Sequence, residues 1–161
     1  MNEKRWQTYE MTVNGLPQRI RYNADTVEGL FLPLLRRLTE MQRAAARRIL
    51  VFFAAPPATG KSTLLQFLEE IARTHNECTR VQSLGMDGFH HSNGYLETHS
   101  ILRDGVEIPL RSIKGAPETF DVAALAAKLA SAKEGATTFP VYDRRIHDVV
   151  TDALTVDAEI L

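Results

Sequence analysis

One short segment in the first half of the chain has the residue types that bind phosphate. It reads Ala55-Pro56-Pro57-Ala58-Thr59-Gly60-Lys61-Ser62-Thr63. It follows the G-x-x-x-x-G-K-[ST] phosphate-loop pattern except at the first position, where alanine replaces glycine. In such a loop, the glycine lets the backbone curl around the phosphate oxygens and the lysine adds positive charge, while the serine hydroxyl can ligate Mg²⁺. The segment therefore predicts a site for a nucleotide polyphosphate and Mg²⁺, formed by Ala58, Thr59, Gly60, Lys61, Ser62 and Thr63.

An aspartate farther along the chain could supply the second half of a reaction centre. Asp87 follows a strand candidate over residues 81–86 and precedes Gly88. In an open parallel sheet the ligand crevice lies at the carboxyl ends of the strands, so we expect Asp87 near the phosphate loop. The carboxylate could accept a proton from a substrate hydroxyl or bind the magnesium, and we favour the role of general base. A structural role in an Asp-Gly turn is the alternative.

These residues need a strand and a helix to position them. Residues 49–54 are apolar without alternation, which predicts a strand buried on both faces of a parallel sheet. Residues 62–72 have helical periodicity, and a second strand is predicted over 81–86. The predicted buried stripe of the helix consists of Leu64, Leu65, Phe67, Leu68 and Ile71. Alternating strands and helices favour an α/β fold. A dinucleotide-binding Rossmann domain is excluded because no G-x-G-x-x-G segment is present.

The N-terminal region has a different pattern. Alternating residues on either side of Asn14-Gly15 predict a β-hairpin. From Thr26 the spacing becomes helical, and Pro33 either kinks this helix or lies in its first turn when the helix begins again. Its predicted apolar face consists of Leu30, Leu34, Leu35, Leu38 and Met41. The arginines opposite are interpreted as a solvated face, with an anion-binding or membrane-surface patch as the alternative.

The second half of the chain has weaker patterns. Residues 89–119 are predicted to be a long irregular stretch. Asp121 is a predicted N-cap for a helix over 122–133. Short strands are predicted over 138–142, weakened by Pro140, and over 154–156. The histidines at 90, 91 and 99 match no usual metal-ligand spacing, so we assign them to a pocket wall or an exposed loop.

Composition narrows the functional classes. The chain has 161 residues, 44% of them hydrophobic, with a formal net charge of -1. This balance disfavours a strongly basic nucleic-acid binder. The longest apolar run is too short to span a bilayer, so no membrane association is expected. Cys78 is the single cysteine, which excludes an internal disulfide and fits a reducing, cytoplasmic location.

Three further segments carry a resemblance to a known family. They read Asp87-Gly88-Phe89-His90-His91, Lys114-Gly115-Ala116-Pro117-Glu118-Thr119-Phe120-Asp121 and Pro140-Val141-Tyr142-Asp143-Arg144-Arg145-Ile146-His147. With the phosphate loop, they resemble the ordered signatures of the uridine kinase, phosphoribulokinase and bacterial pantothenate kinase group. The resemblance covers the chain from about residue 49 to residue 147. The chain resembles more closely still the uncharacterised bacterial nucleoside or nucleotide kinase family proteins, which also have a similar N-terminal hairpin and helix.

The resemblance implies a role for each matching residue. Asp87 corresponds to the catalytic base of the family, while Lys61 and Ser62 serve the ATP phosphates and Mg²⁺. Lys114, Tyr142 and His147 correspond to positions at the acceptor substrate. The implied fold is a parallel-sheet, three-layer P-loop NTPase fold, incomplete at its C-terminal end.

The expected organisation is an N-terminal appendage over 1–48 and a kinase core over 49–161. The core resembles the first two-thirds of a kinase, so we expect a truncated form of a longer protein. The expected activity is ATP-dependent transfer of the γ-phosphoryl group to a hydroxyl of a nucleoside, a sugar or a pantothenate-like metabolite. The alternative is a nucleotide-binding module without turnover. Neither the acceptor nor the formation of a homo-oligomer is decided by the sequence.

Overall fold

The computed structural model describes residues 5–56 and 58–161. The described residues form two compact units, one of the described residues up to Leu84 together with Asp157–Leu161 and the other of Gly85–Val156. The assignment of 1–48 to an appendage and 49–161 to a kinase core stays a prediction. Across the described part of the chain, every helix is too short or too polar to cross a membrane.

The first unit begins with the predicted hairpin. Strand β1 (Trp6–Val13) pairs antiparallel with β2 (Leu16–Asn23). The two turn residues, Asn14 and Gly15, have φ angles of 51° and 77°. A two-residue hairpin turn with both φ angles positive follows the twist of the strands, and Asn-Gly is the sequence that adopts it most readily. The hairpin prediction is therefore confirmed.

The helical region that follows contains a π-helical turn. Helix α1 (Ala24–Thr26) leads into π-helical residues Val27–Phe31, and α2 then spans Leu32–Ala45. Pro33 lies in the first turn of α2, directly after the π-helical turn. Of the two alternatives for Pro33, the structure has its position in the first turn of a helix, but the helical backbone continues into this turn without a break.

The predicted apolar face of this helix is partly wrong. Leu30, Leu34 and Met41 are exposed, whereas the buried side chains are those of Val27, Phe31, Leu32, Leu35 and Thr39. A π-helical turn adds a residue to the helical repeat. The inward-facing positions consequently shift relative to those expected from a continuous α-helix.

The core of the first unit packs against the helix that follows the phosphate loop. Helix α3 (Lys61–Thr74) buries Phe67, Leu68, Ile71 and Ala72, which confirms the helix and most of its stripe. The ring of Tyr22 from the hairpin stacks on Phe67 at 4.0 Å, and that of Tyr9 meets Phe67 edge-on at 4.7 Å. Leu64 also packs against this cluster. The N-terminal hairpin and helices therefore hold α3, and with it the loop that precedes α3.

The two predicted parallel strands are not formed as predicted. Residues 49–54 contain a single bridge residue, Ile49, and residues 81–86 contain only Val81. Both bridge in parallel to Ile160, which lies between them. Phe52 is 79% exposed rather than buried. Among the described residues, backbone pairing of this segment extends only to the bond from Val51 N to Leu161 O, and no strand is assigned over residues 52–54.

The fold class is thus mixed α/β. The named strands form three antiparallel pairs, and parallel pairing within the described residues is limited to isolated bridges. The described residues therefore do not form a continuous parallel sheet.

The second unit contains two hairpins, two helices and several 3₁₀ turns. A 3₁₀ turn over Met86–Phe89 precedes α4 (Asn93–Thr98). Strands β3 (Ser100–Arg103) and β4 (Val106–Pro109) form a short hairpin. Further 3₁₀ turns span Leu110–Ile113 and Pro117–Thr119. The predicted irregular stretch over 89–119 is therefore largely ordered into short elements.

The last part of the second unit positions the Pro140-Val141-Tyr142-Asp143 segment. Helix α5 (Val122–Glu134) begins after Asp121, whose carboxylate accepts a hydrogen bond of 2.8 Å from Ala124 N, which confirms the predicted cap. Strand β5 (Thr137–Asp143) pairs antiparallel with β6 (Asp148–Val156). The register shifts between Phe139 and Val141, at the proline that cannot donate to the ladder. Both strands are longer than the sequence pattern predicts.

Candidate functional site

The phosphate-loop segment turns sharply before α3. Gly60 is the N-cap residue of this helix and has a φ angle of 83°, in the left-handed region. Ala58 is also left-handed, with a φ angle of 61°. Glycine adopts this conformation without steric cost, which explains its place at the point where the loop enters the helix. Pro57, part of the same motif, lies outside the described residues.

The ammonium group of Lys61 lies across this loop. Its Nζ atom donates to the carbonyl oxygens of Ala55 at 2.8 Å and Pro56 at 2.9 Å. The Thr59 hydroxyl donates to the same Pro56 oxygen at 2.8 Å. The first amides of a helix have no intrahelical acceptor, and the helix dipole favours negative charge at this end. The loop therefore presents one cation and a set of main-chain N–H groups to an anion.

The remaining residues of the predicted phosphate site are accessible. Ser62 is exposed and Thr63 is half-buried, both in the first turn of α3. Ser62 is thus accessible from solvent.

In the second unit, Asp87 lies on the 3₁₀ turn rather than at the end of a strand. Its side chain is exposed, and its Oδ2 atom is 3.9 Å from Arg144 Nη2. The neighbouring Gly88 is buried against strand β5. A Cβ atom at Gly88 would be 2.2 Å from the carbonyl oxygen of Pro140, so this close approach requires glycine. The contact fixes the backbone that carries Asp87.

The three predicted acceptor-site residues come together in the second unit. Lys114 Nζ is 3.3 Å from the Tyr142 hydroxyl and 4.9 Å from the centre of its ring. The Tyr142 hydroxyl donates to the carbonyl oxygen of His147 at 2.9 Å. His147 contributes its main chain to this contact, and the residue itself is exposed with a φ angle of 52°. The lysine and the aromatic ring thus form one surface, which can bind a polar ligand through a cation and a π face.

Two residues of this cluster were missed by the sequence analysis. Asn93 Oδ1 accepts hydrogen bonds from Lys114 Nζ at 2.9 Å and from Arg111 Nη1 at 2.5 Å. Asn93 Nδ2 donates to His147 O at 2.9 Å, and its main-chain N donates to Asp148 Oδ1 at 3.0 Å. Asn93 precedes Gly94, and an asparagine before a glycine is typical of a turn, so no sequence signal identifies Asn93 as a site residue. Only the folding of α4 against the β5–β6 hairpin reveals its role.

The three histidines make aromatic contacts. The His90 ring stacks on Phe120 at 3.8 Å. The rings of His91 and His99 stack on Tyr95 at 4.2 Å and 3.7 Å. Ring stacking, together with their half-buried or exposed positions, accounts for their place in this loop region.

The turn that joins β5 to β6 contains a strongly perturbed carboxyl group. The Arg145 guanidinium donates to both oxygens of Asp143, at 3.1 Å and 2.6 Å, and Arg145 N donates at 2.8 Å. These bonds stabilise the charged form and lower the pKa of Asp143 to about 2. The residue after Tyr142 is therefore an anion at neutral pH, and it orders the turn.

The phosphate loop belongs to the first unit, whereas Asp87 and the acceptor-site cluster belong to the second. The proximity of Lys61 and Asp87 stays a prediction. The phosphate loop in the first unit and the acceptor-site cluster in the second each have local geometry consistent with their predicted chemistry.

Comparison with known proteins identifies relatives among kinases. No protein-family model matches the chain. It is 46% identical over 153 residues to the uncharacterized protein YggC of Escherichia coli K12, a match that covers 94% of this chain and 61% of YggC. It is 30% identical over 157 residues to the pantothenate kinase of Myxococcus xanthus, covering 86% of this chain and 46% of that enzyme.

A solved structure extends the comparison to the fold. The crystal structure of a proposed fructose transport system kinase from Silicibacter sp. TM1040 matches with a TM-score of 0.56 and 25% identity, covering 76% of this chain and 60% of that one. The chain thus spans about three-fifths of YggC and less than half of the pantothenate kinase. It is a distant homologue of bacterial pantothenate kinases, and its mixed α/β fold is kinase-like.

Proposed function

We propose that this chain carries the nucleotide site and part of the acceptor site of an ATP-dependent kinase. The reaction would transfer the γ-phosphoryl group to a hydroxyl of a small metabolite. One observation carries the proposal: a loop with left-handed Gly60 enters α3 while the Lys61 ammonium lies across it. The kinase relatives support the same class of reaction.

The residues of the loop fit a polyphosphate and Mg²⁺. The amides at the start of α3 and the ammonium of Lys61 would hold the phosphate oxygens, and the exposed Ser62 hydroxyl would hold Mg²⁺. When bound, Mg²⁺ supplies positive charge that offsets the charge on the phosphates. For Lys61 to reach a phosphate, its bonds to Ala55 O and Pro56 O must be exchanged for bonds to the ligand.

Asp87 is our proposed general base. Its carboxylate is exposed, and the packing of Gly88 against Pro140 holds its backbone in place. An aspartate in this role orients the acceptor hydroxyl and takes its proton as the phosphoryl group is transferred. Lys114, Tyr142 and His147 would bind the acceptor, a nucleoside, a sugar or a pantothenate-like compound.

Calorimetric titration with ATP and Mg²⁺ tests the nucleotide site. We expect the wild-type chain to bind and Lys61→Ala to bind about 10-fold or more weakly, since bonds from a charged donor contribute about 1.5–3 kcal/mol. Lys133→Ala removes an equal charge from the exposed end of α5 and is the matched control. Equal affinity in all three proteins would refute the assignment of Lys61.

A coupled assay of ADP release with nucleosides, sugars and pantothenate tests turnover. Asp87→Asn should keep ATP affinity while turnover falls by about 100-fold or more, in the range that general bases contribute. Asp104→Asn, on the exposed β3–β4 turn, is the control for loss of a carboxylate. Turnover that is unchanged in Asp87→Asn would exclude the base. ATP binding without turnover of any acceptor would favour the alternative, a nucleotide-binding module.

A further inference from the structure

Two cations in the second unit converge on one uncharged atom. Arg111 Nη1 and Lys114 Nζ both donate to Asn93 Oδ1, at 2.5 Å and 2.9 Å. The distance between Arg111 Nη1 and Lys114 Nζ therefore cannot exceed the sum of these two hydrogen-bond lengths. An amide oxygen carries only a partial negative charge, so it does not neutralise them.

The pair also has no carboxylate partner in the part of the chain that the structure describes. The other three arginines of this unit, Arg103, Arg144 and Arg145, each have a carboxylate oxygen within 4.0 Å. Arg111 has none, and neither does Lys114. Asp148 is joined to the cluster through Asn93, but its oxygen accepts from the main-chain N atoms of Asn93 and Val149. Within the described residues the two cations are therefore not in an ion pair with any carboxylate, including that of Asp148.

Donor groups remain on both cations. A lysine ammonium has three N–H groups and a guanidinium has five. Lys114 uses two of its groups, on Asn93 and Tyr142, and the described contacts of Arg111 use one. Arg111 is exposed and Lys114 is half-buried, so both can be reached from solvent. A fork of N–H groups beside an ammonium is the arrangement that binds carboxylate and phosphate groups in proteins.

We propose that Arg111 and Lys114, held together by Asn93, form a receptor for an anionic group of the acceptor molecule. The inference rests on the proposed function and adds the substrate class: an alcohol that carries a carboxylate or a phosphate monoester. Asn93 is a positioning residue, because it holds the two cations at one point and ties them through Nδ2 to the main chain of His147. Tyr142, which contacts Lys114, would lie beside the body of the same molecule.

The receptor is tested first with simple anions. Inorganic phosphate and acetate are titrated separately into ¹⁵N-labelled protein without nucleotide, and the side-chain signals of Asn93 Nδ2 and Arg111 Nε are followed. We expect saturable shifts of both signals with at least one anion. The anion that binds more tightly identifies a phosphate or a carboxylate as the preferred group. Absence of saturable shifts with either anion overturns the proposal. Because this readout needs neither ATP nor turnover, it separates the receptor from the kinase activity.

Pairs of compounds that differ only in the anionic group then test the substrate class. Pantothenate is compared with panthenol, and fructose 6-phosphate with fructose, by thermal shift in the wild type and in Arg111→Gln. We expect the anionic member of at least one pair to bind about 10-fold or more tightly than its neutral partner, and Arg111→Gln to abolish that preference. Lys133→Gln, an equal loss of charge on an exposed helix end, should preserve it. Equal binding of both members of each pair, or equal losses in the two variants, overturns the receptor.

A variant of Asn93 tests the arrangement itself. Asn93→Asp keeps an oxygen acceptor for both cations but places a full negative charge between them. It should remove the phosphate- or acetate-induced shift of Arg111 Nε, while Asn93→Ser, which keeps a neutral acceptor, should retain part of it. If Asn93→Asp responds to the anion as the wild type does, Asn93 does not organise the receptor. Turnover of a neutral acceptor without any preference for charge would leave the kinase proposal standing and refute the receptor.

Discussion

Replacement of Gly88 by alanine should disrupt the backbone contact that holds the Asp87 turn. A Cβ atom at Gly88 would be 2.2 Å from Pro140 O, 2.6 Å from Pro140 C and 3.0 Å from Val141 N. Cβ atoms essentially never approach another atom within 3.0 Å, so the turn or strand β5 must move by nearly an ångström. The atoms that clash belong to the main chain and cannot rotate away. We therefore expect a loss of about 3 kcal/mol in the free energy of unfolding, at the upper end of the cost of overpacking.

Urea unfolding followed by far-ultraviolet circular dichroism measures this loss. Gly85→Ala is the matched control, because a Cβ there meets no atom within 4 Å and the residue has a φ angle of -90°. That substitution should be neutral or stabilise by up to about 1 kcal/mol, since it restricts the unfolded chain. Hydrogen exchange at the Val141 amide locates the effect on β5. Equal stabilities of Gly88→Ala and Gly85→Ala would refute the close packing of the turn on the strand.

Two further predictions concern the same unit. Because the Arg145 guanidinium lowers the pKa of Asp143 to about 2, the stability that this carboxylate contributes is complete above about pH 4, the unfolded pKa, and is lost as the pH falls through about 2. Arg145→Gln should raise the pKa of Asp143 toward 4 in a carboxyl-carbon NMR titration, and an unchanged midpoint would exclude the guanidinium as the cause. Asp121→Ala should destabilise the unit by about 1 kcal/mol through loss of the bond to Ala124 N, whereas Asp121→Asn, which keeps an acceptor, should cost less than half of that in thermal or urea unfolding.

The N-terminal region has a structural connection to the proposed nucleotide site. Tyr9 and Tyr22 of the hairpin pack on Phe67, in the middle of the helix whose first residue is Lys61. Phe31 adds an edge-on contact with the same ring at 5.6 Å. The orientation of α3 thus depends on side chains that carry no phosphate-binding chemistry.

Much of the candidate site follows from short-range sequence patterns. A phosphate loop is defined by small residues, a glycine that can adopt a positive φ and a lysine beside it, and all of these are local properties. The same is true of the Asn14-Gly15 turn and the Asp121 cap, since each depends on contacts within a few residues. The grouping of Lys114 with Tyr142 and His147 came from a family resemblance, and the structure brings these residues together.

The sequence by itself determined the hairpin, the helix after the phosphate loop and the chemistry available at Lys61 and Asp87, because these depend on neighbours along the chain. Only the tertiary structure decided which strands form and which apolar side chains are covered. Phe52 is exposed because, among the described residues, no element packs over its side chain, and such packing is not a local property of the sequence. The convergence of Arg111 and Lys114 on Asn93 has the same origin, since the three residues meet only when α4 and the following 3₁₀ turns pack together.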